Sequence, residues 1–283
     1  MSLTQEAIQE IADLSVTASG VNIDNLGSTD SKLVILPNGT HLQTLEKYNA
    51  FRDKFRGHFN TTNIDSFIAY NESQATDDAT CFIVPDKMAA KTIFDLGNKE
   101  APLHCLHLAT LALFKTSDYE SLLSITQQVD QKELSDFLED WSNNITCYTE
   151  MTSDDTQDVI PNKFAVQAVR RVKIESTTEV EKQVGNFEDK QSVFQQATAK
   201  SGDYTKKLPA LITFRCVPYD GLKEYVFNVR VSVITSNSQP TFSLRIINHE
   251  KQCNEMIEEF MSMITDKLSG SKIKTYIGDF DFK

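Results

Sequence analysis

The chain has 283 residues, 40% hydrophobic and 24% charged, a composition of soluble globular proteins with a sizeable core rather than of disordered or fibrous ones. A formal net charge of -12 argues against broad binding to duplex DNA or anionic membrane, because such binding is driven by phosphate neutralisation. Cysteines at 81, 105, 147, 216 and 253 form an odd set without a CxxC pair, so reduced thiols in a cytosol are expected, with no disulfide or metal staple and no cofactor.

The opening MSLTQEAIQEIADL is acidic where a signal peptide is basic, and no run approaches the roughly 18 apolar residues of a membrane span. An intracellular protein that does not enter a membrane is expected. Within residues 3–18, Ala7, Ile8, Ile11 and Leu14 recur at helical spacing, with Gly20 as a stop. LVIL at 33–36 reads as a strand closed by Pro37-Asn38-Gly39. FRDKFRGHF at 51–59, read as one extended strand, places Phe51, Phe55 and Phe59 on an apolar face and Arg52, Lys54, Arg56 and His58 on a cationic one. Thr62 with Asp65 resembles a capping box for a helix carrying Ile64, Phe67, Ile68 and Tyr70.

TCFIV at 80–84 and AKTIFDL at 90–96 read as a hairpin joined through Pro85-Asp86-Lys87, and HCLHLATLALF at 104–114 as a central strand apolar on both faces. Ser117 with Glu120, and Asp130 with Glu133, are capping boxes for two helices. The second carries Leu134, Phe137, Leu138, Trp141 and Ile145 as one stripe. TEMTSDDTQDVIPN at 149–162 is polar, acidic and proline-terminated, so a soft boundary falls there between an N-terminal α+β part, 1–150, and a C-terminal sheet with helix, 163–283. Phe164 to Ala168 reads as a helical turn before a strand through Val172 and Ile174, and 185–207 as a mobile excursion.

The C-terminal pattern is the most regular. LITFRCV at 211–217 alternates, a Tyr219-Asp220-Gly221-Leu222 turn follows, and Tyr225 to Val233 alternates again. Pairing about that turn sets Phe214 opposite Phe227 and Ile212 opposite Val229. Folding back about 235–240 sets Leu244 opposite Val231 and Phe242 opposite Val233, all on one face. A helix with Cys253, Met256, Ile257, Phe260, Met261, Ile264 and Leu268 on one stripe is expected to cover that face. Strands and helices in separate runs make the fold α+β, with antiparallel sheets and amphipathic helices packed on one face.

Chemistry is sparsely signalled. His104, Cys105 and His107 in HCLH are metal-ligating residue types, but on a strand the two histidines project to opposite faces, so no metal site is expected. Glu133, Asp136 and Asp140 line one side of a helix and read as its solvated face. Glu188-Asp189-Lys190 matches the short (D/E)xK fragment of metal-dependent nucleases. Phosphate-loop, GxSxG and dinucleotide fingerprints are absent, so no catalytic residue is assigned. The binding candidates are cationic: Arg52, Lys54, Arg56 and His58 beside phenylalanines, suited to stacking on bases and holding phosphates, and Arg215, Arg230 and Arg245 on the polar face of the meander. Arg230 is expected directly across from Arg245, an arrangement that costs stability unless an acidic group, water or an anion answers it.

LPNGTHLQTLEKY, FRGHFNT, AVRRVKIES, VGNF and TFRCVPYDGL, in this order, resemble the YfdQ-type proteins of tailed phages and prophages, a family of unknown function. The resemblance covers nearly the whole chain and implies a phage-encoded protein made in the cytoplasm of a bacterial host, without assigning catalytic residues. The resulting expectation is a non-catalytic, homo-oligomeric accessory protein that binds a host or phage macromolecule, a protein foremost, in counter-defence or host takeover. A single-stranded nucleic-acid factor is the alternative, and a metal-dependent nuclease a distant third.

Overall fold

The computed structural model describes residues 5, 6, 10, 50–52, 54–150, 159–172, 207–234 and 240–281. The chain divides into two compact units, 1–55 and 56–283. In the first, Gln5, Glu6 and Glu10 are helical, while the rest of the expected opening helix and the LVIL strand lie outside the described residues.

The second unit is α+β, as the sequence patterns require. One sheet has the strand order β1 (Gly57–Thr61), β4 (His107–Ala112), β3 (Ala89–Ile93), β2 (Thr80–Val84) and β11 (Lys274–Ile277). The other is ordered β5 (Gln128–Val129), β10 (Thr241–Ile246), β9 (Tyr225–Ile234), β8 (Leu211–Cys216), β6 (Ile145–Tyr148) and β7 (Val159–Ile160). The second sheet is antiparallel throughout, whereas the first carries a parallel pair at each edge, β1 with β4 and β11 with β2.

The meander has the expected register. Phe214 faces Phe227, Ile212 faces Val229, Leu244 faces Val231 and Phe242 faces Val233, and all but the half-buried Val233 are buried. A one-residue slip would turn this apolar set into water, which fixes the pairing. The covering of that face is divided among helices. Tyr119 of α2 (Ser117–Ile125) stacks on Phe227, while Phe137 of α3 (Gln131–Asp140) and Trp141 at its end pack on Phe214. The long C-terminal helix α5 (His249–Leu268) meets the meander at its Tyr225 end, where Glu259 accepts the Tyr225 hydroxyl at 2.7 Å. It also packs against α1 (Ile64–Gln74), to which Lys267 and Asp65 tie it by an ion pair.

Several local expectations need correction. The cap of α1 is Asn63, whose side chain accepts from the Ser66 amide, and that of α2 is Thr116; each cap lies one residue from the expected Thr62 or Ser117. Asp130 and Glu133 do form a reciprocal capping box. Helix α3 stops at Asp140, so Ile145 belongs to β6 opposite Phe214 and not to the helical stripe. The helical turn at 164–168 is a ten-residue helix, α4 (Asn162–Arg171). Val172 ends it and so does not start a strand; Ile174 and residues 185–206 lie outside the described residues. Within the second sheet β6 pairs with β8 on one side and with the short β7, inside 149–162, on the other.

Candidate functional site

Residues 51–59 do not form one strand with three inward phenylalanines. β1 begins only at Gly57, because its partner β4 begins only at His107: Cys105, two residues earlier, has a left-handed φ of 52° that ends extended pairing. Phe59, inside the strand, stacks on Tyr70 at 4.5 Å. Phe51 and Phe55 are instead 86% and 64% exposed, and Arg52, Lys54 and Arg56 are exposed as well. His58 is exposed on β1, with Nε2 2.7 Å from the Thr110 hydroxyl.

Arg215, Arg230 and Arg245 are all exposed on the sheet face opposite the meander core. Arg230 lies directly across from Arg245, as the alternation demands. Arg215 sits beside Val226, four residues along β9 from Arg230, which is about 13 Å at strand rise. It lies 3.7 Å from the carboxylate of Glu224. The sheet thus brings two of the three arginines together.

The HCLH residues separate for a different reason from opposed strand faces. His104 and Cys105 precede the strand, and only His107 is on it. His107 is buried against Phe94, its Nε2 3.0 Å from the Tyr70 hydroxyl, while Asp95 accepts the backbone amides of Leu106 and His107 at 2.9 Å. Burial lowers the His107 pKa, against a smaller upward pull from Asp95, so the ring is held neutral. Of the acidic residues on α3, Glu133 caps its own helix and Asp136, with Glu139, faces Arg170. Among the described residues, no group of three or more His, Cys, Asp or Glu side chains is placed to hold a metal ion, and Glu188-Asp189-Lys190 lies outside those residues.

A second polar cluster was not legible as a site. His249 opens α5 and Cys253 follows one turn later, with Sγ 3.6 Å from His249 Nε2. The buried hydroxyl of Tyr119 lies 3.0 Å from the same nitrogen and 4.0 Å from the sulfur. The i, i+4 spacing of His249 and Cys253 was the only available signal. Tyr119 comes from a helix some 130 residues away.

Fold and site together define an α+β protein whose two sheets share one hydrophobic core, with cationic and aromatic groups at its surface. It belongs to the family of uncharacterized conserved proteins DUF2303, whose profile matches residues 4–280. No curated protein and no solved structure matches the chain. Among the described residues, no helix is long and apolar enough to cross a membrane.

Proposed function

We propose that this chain is a non-catalytic accessory protein, encoded by a phage or prophage as its resemblance to YfdQ-type proteins implies, that binds a host or phage macromolecule in the bacterial cytoplasm. The observation that carries this reading is the exposure of Phe51 and Phe55, 86% and 64%, in a stretch whose other side chains include the exposed Arg52 and Lys54. Covering a phenylalanine is worth roughly 1.5–3 kcal/mol, so a partner seated on these rings gains affinity from them while the cations set its charge. A protein target with an acidic surface fits, and a second copy of the chain fits for the same reason. The test is affinity capture from infected bacteria with the full chain and with a variant carrying Phe51→Ser, Arg52→Glu, Lys54→Glu and Phe55→Ser. A partner retained by the wild type and lost from the variant supports the reading; equal retention overturns it.

Single-stranded nucleic acid is the second reading, favoured by the same exposed rings, because bases stack on aromatic faces while Arg and Lys hold phosphates. Three cations, Arg52, Lys54 and Arg56, correspond to a slope of log affinity against log salt of about -2 for single strands. Fluorescence anisotropy with a labelled oligonucleotide measures it. Charge reversal at the three positions is expected to abolish both binding and slope, and a wild type without salt-sensitive binding removes this reading.

A further inference from the structure

A thiol is an indifferent nucleophile until a base stands within hydrogen-bond reach and a third group orients that base. Cys253, His249 and Tyr119 have this arrangement. The imidazole Nε2 is 3.6 Å from Sγ and 3.0 Å from the Tyr119 hydroxyl, and that hydroxyl is 4.0 Å from Sγ, so the three polar atoms form a closed triangle. Tyr119 is rigidly placed: it is buried, its ring stacks on Phe227 at 5.2 Å, and it belongs to α2, while the other two residues belong to α5. Burial pushes its pKa far up, with the neighbouring Cys253, Tyr219 and Cys216 adding to the shift, so the phenol keeps its proton and remains able to donate.

The other thiols are in worse positions. Burial raises Cys81 to about 11 and Cys147 and Cys216 to about 12 each. Cys105 is raised by burial and then by the charge of Asp95. Cys253 is half-buried.

We propose that Cys253, activated by His249 and steadied by Tyr119, is the reactive thiol of this protein and a site of exchange with low-molecular-weight disulfides. His249 Nε2 takes the proton from Sγ, and the Tyr119 hydroxyl turns toward the thiolate. The thiolate attacks one sulfur of the incoming disulfide, the new S–S bond forms as the old one breaks, and the departing thiolate takes the proton from Nε2. Cys253 is oxidised to a mixed disulfide and the departing half is reduced to a thiol. No further oxidant is needed.

The experiment exposes the folded full chain to oxidised glutathione at neutral pH and follows adduct formation by intact mass and peptide mapping. The first adduct is expected on Cys253. His249→Gln is expected to slow it about tenfold or more, the lower range of general-base catalysis. First modification at Cys105, uniform labelling of all five cysteines, or a folded variant with the wild-type rate overturns the proposal. Should the variant not fold, the peptide map of the wild type decides alone: a first adduct on any cysteine other than Cys253 overturns it.

Discussion

Phe214 lies directly opposite Phe227 across β8 and β9, and both rings are wholly buried. Each is the seat of an aromatic side chain from an earlier helix: Phe137 stacks on Phe214 at 5.6 Å and Tyr119 on Phe227 at 5.2 Å. The pair therefore joins the meander to α2 and α3. Phe214→Ala is expected to cost about 3–5 kcal/mol, through lost transfer energy and the cavity left behind. Thr213→Ala, on the opposite face of the same strand, is expected to cost well under that, about 0.5 kcal/mol. Urea unfolding of both variants measures the contrast, and similar losses would contradict the facial assignment.

The meander was legible in the sequence because a period of two with one buried face leaves a single register for each strand, and the three strands agreed. The Asp130–Glu133 box was legible because both partners are local. Helix starts at Asn63 and Thr116 were missed by one residue because adjacent side chains, Thr62 and Ser117, are equally able to cap, and sequence alone does not rank them. Ile145 was drawn into the α3 stripe because it falls four residues after Trp141, a spacing that helix and chance share. What was not legible is long-range: β11 pairing with β2 nearly two hundred residues earlier, the parallel docking of β1 on β4, and the meeting of Tyr119 with His249 and Cys253. The cations of 51–58 were legible as residues, whereas the exposure of Phe51 and Phe55 was not, because alternation alone assigns them to an apolar face.

Glu259 holds α5 to the hairpin between β8 and β9. Its two oxygens accept separately, Oε1 from the Lys223 amide at 2.8 Å and Oε2 from the Tyr225 hydroxyl at 2.7 Å, and Lys223 Nζ lies 3.7 Å away. The side chain is only 18% exposed, so its charge is poorly compensated by water if a donor is lost. Burial, and then the Glu259 hydrogen bond, raises the Tyr225 pKa and keeps the phenol a donor. Glu259→Gln keeps the shape but replaces one acceptor with an amide donor, for an expected loss of about 1–3 kcal/mol. Combined with Tyr225→Phe, the losses are expected to be less than additive, because the two substitutions remove one shared bond. Strict additivity in thermal and urea unfolding would show that the contact contributes nothing to stability.

His107 makes a pH-dependent contribution whose sign follows from its burial. The ring is packed on Phe94 and bonded to Tyr70, and burial depresses its pKa below the ordinary 6.5, against the smaller opposing effect of Asp95. The folded chain therefore resists protonation at a pH where the unfolded chain accepts it. Between the depressed folded value and about 6.5, the unfolded state binds more protons, so stability rises with pH. The contribution is fully present above about 6.5 and is lost as pH falls through that window toward the folded value. His107→Gln retains a polar group near the Tyr70 hydroxyl but removes the titration. Urea midpoints at pH 7.5 and 5.5 are expected to show a larger fall for the wild type than for the variant, even though carboxylates elsewhere titrate equally in both. Equal falls in the two proteins would mean that His107 is as easily protonated folded as unfolded, and that its ring is not held neutral by the Phe94 and Tyr70 packing.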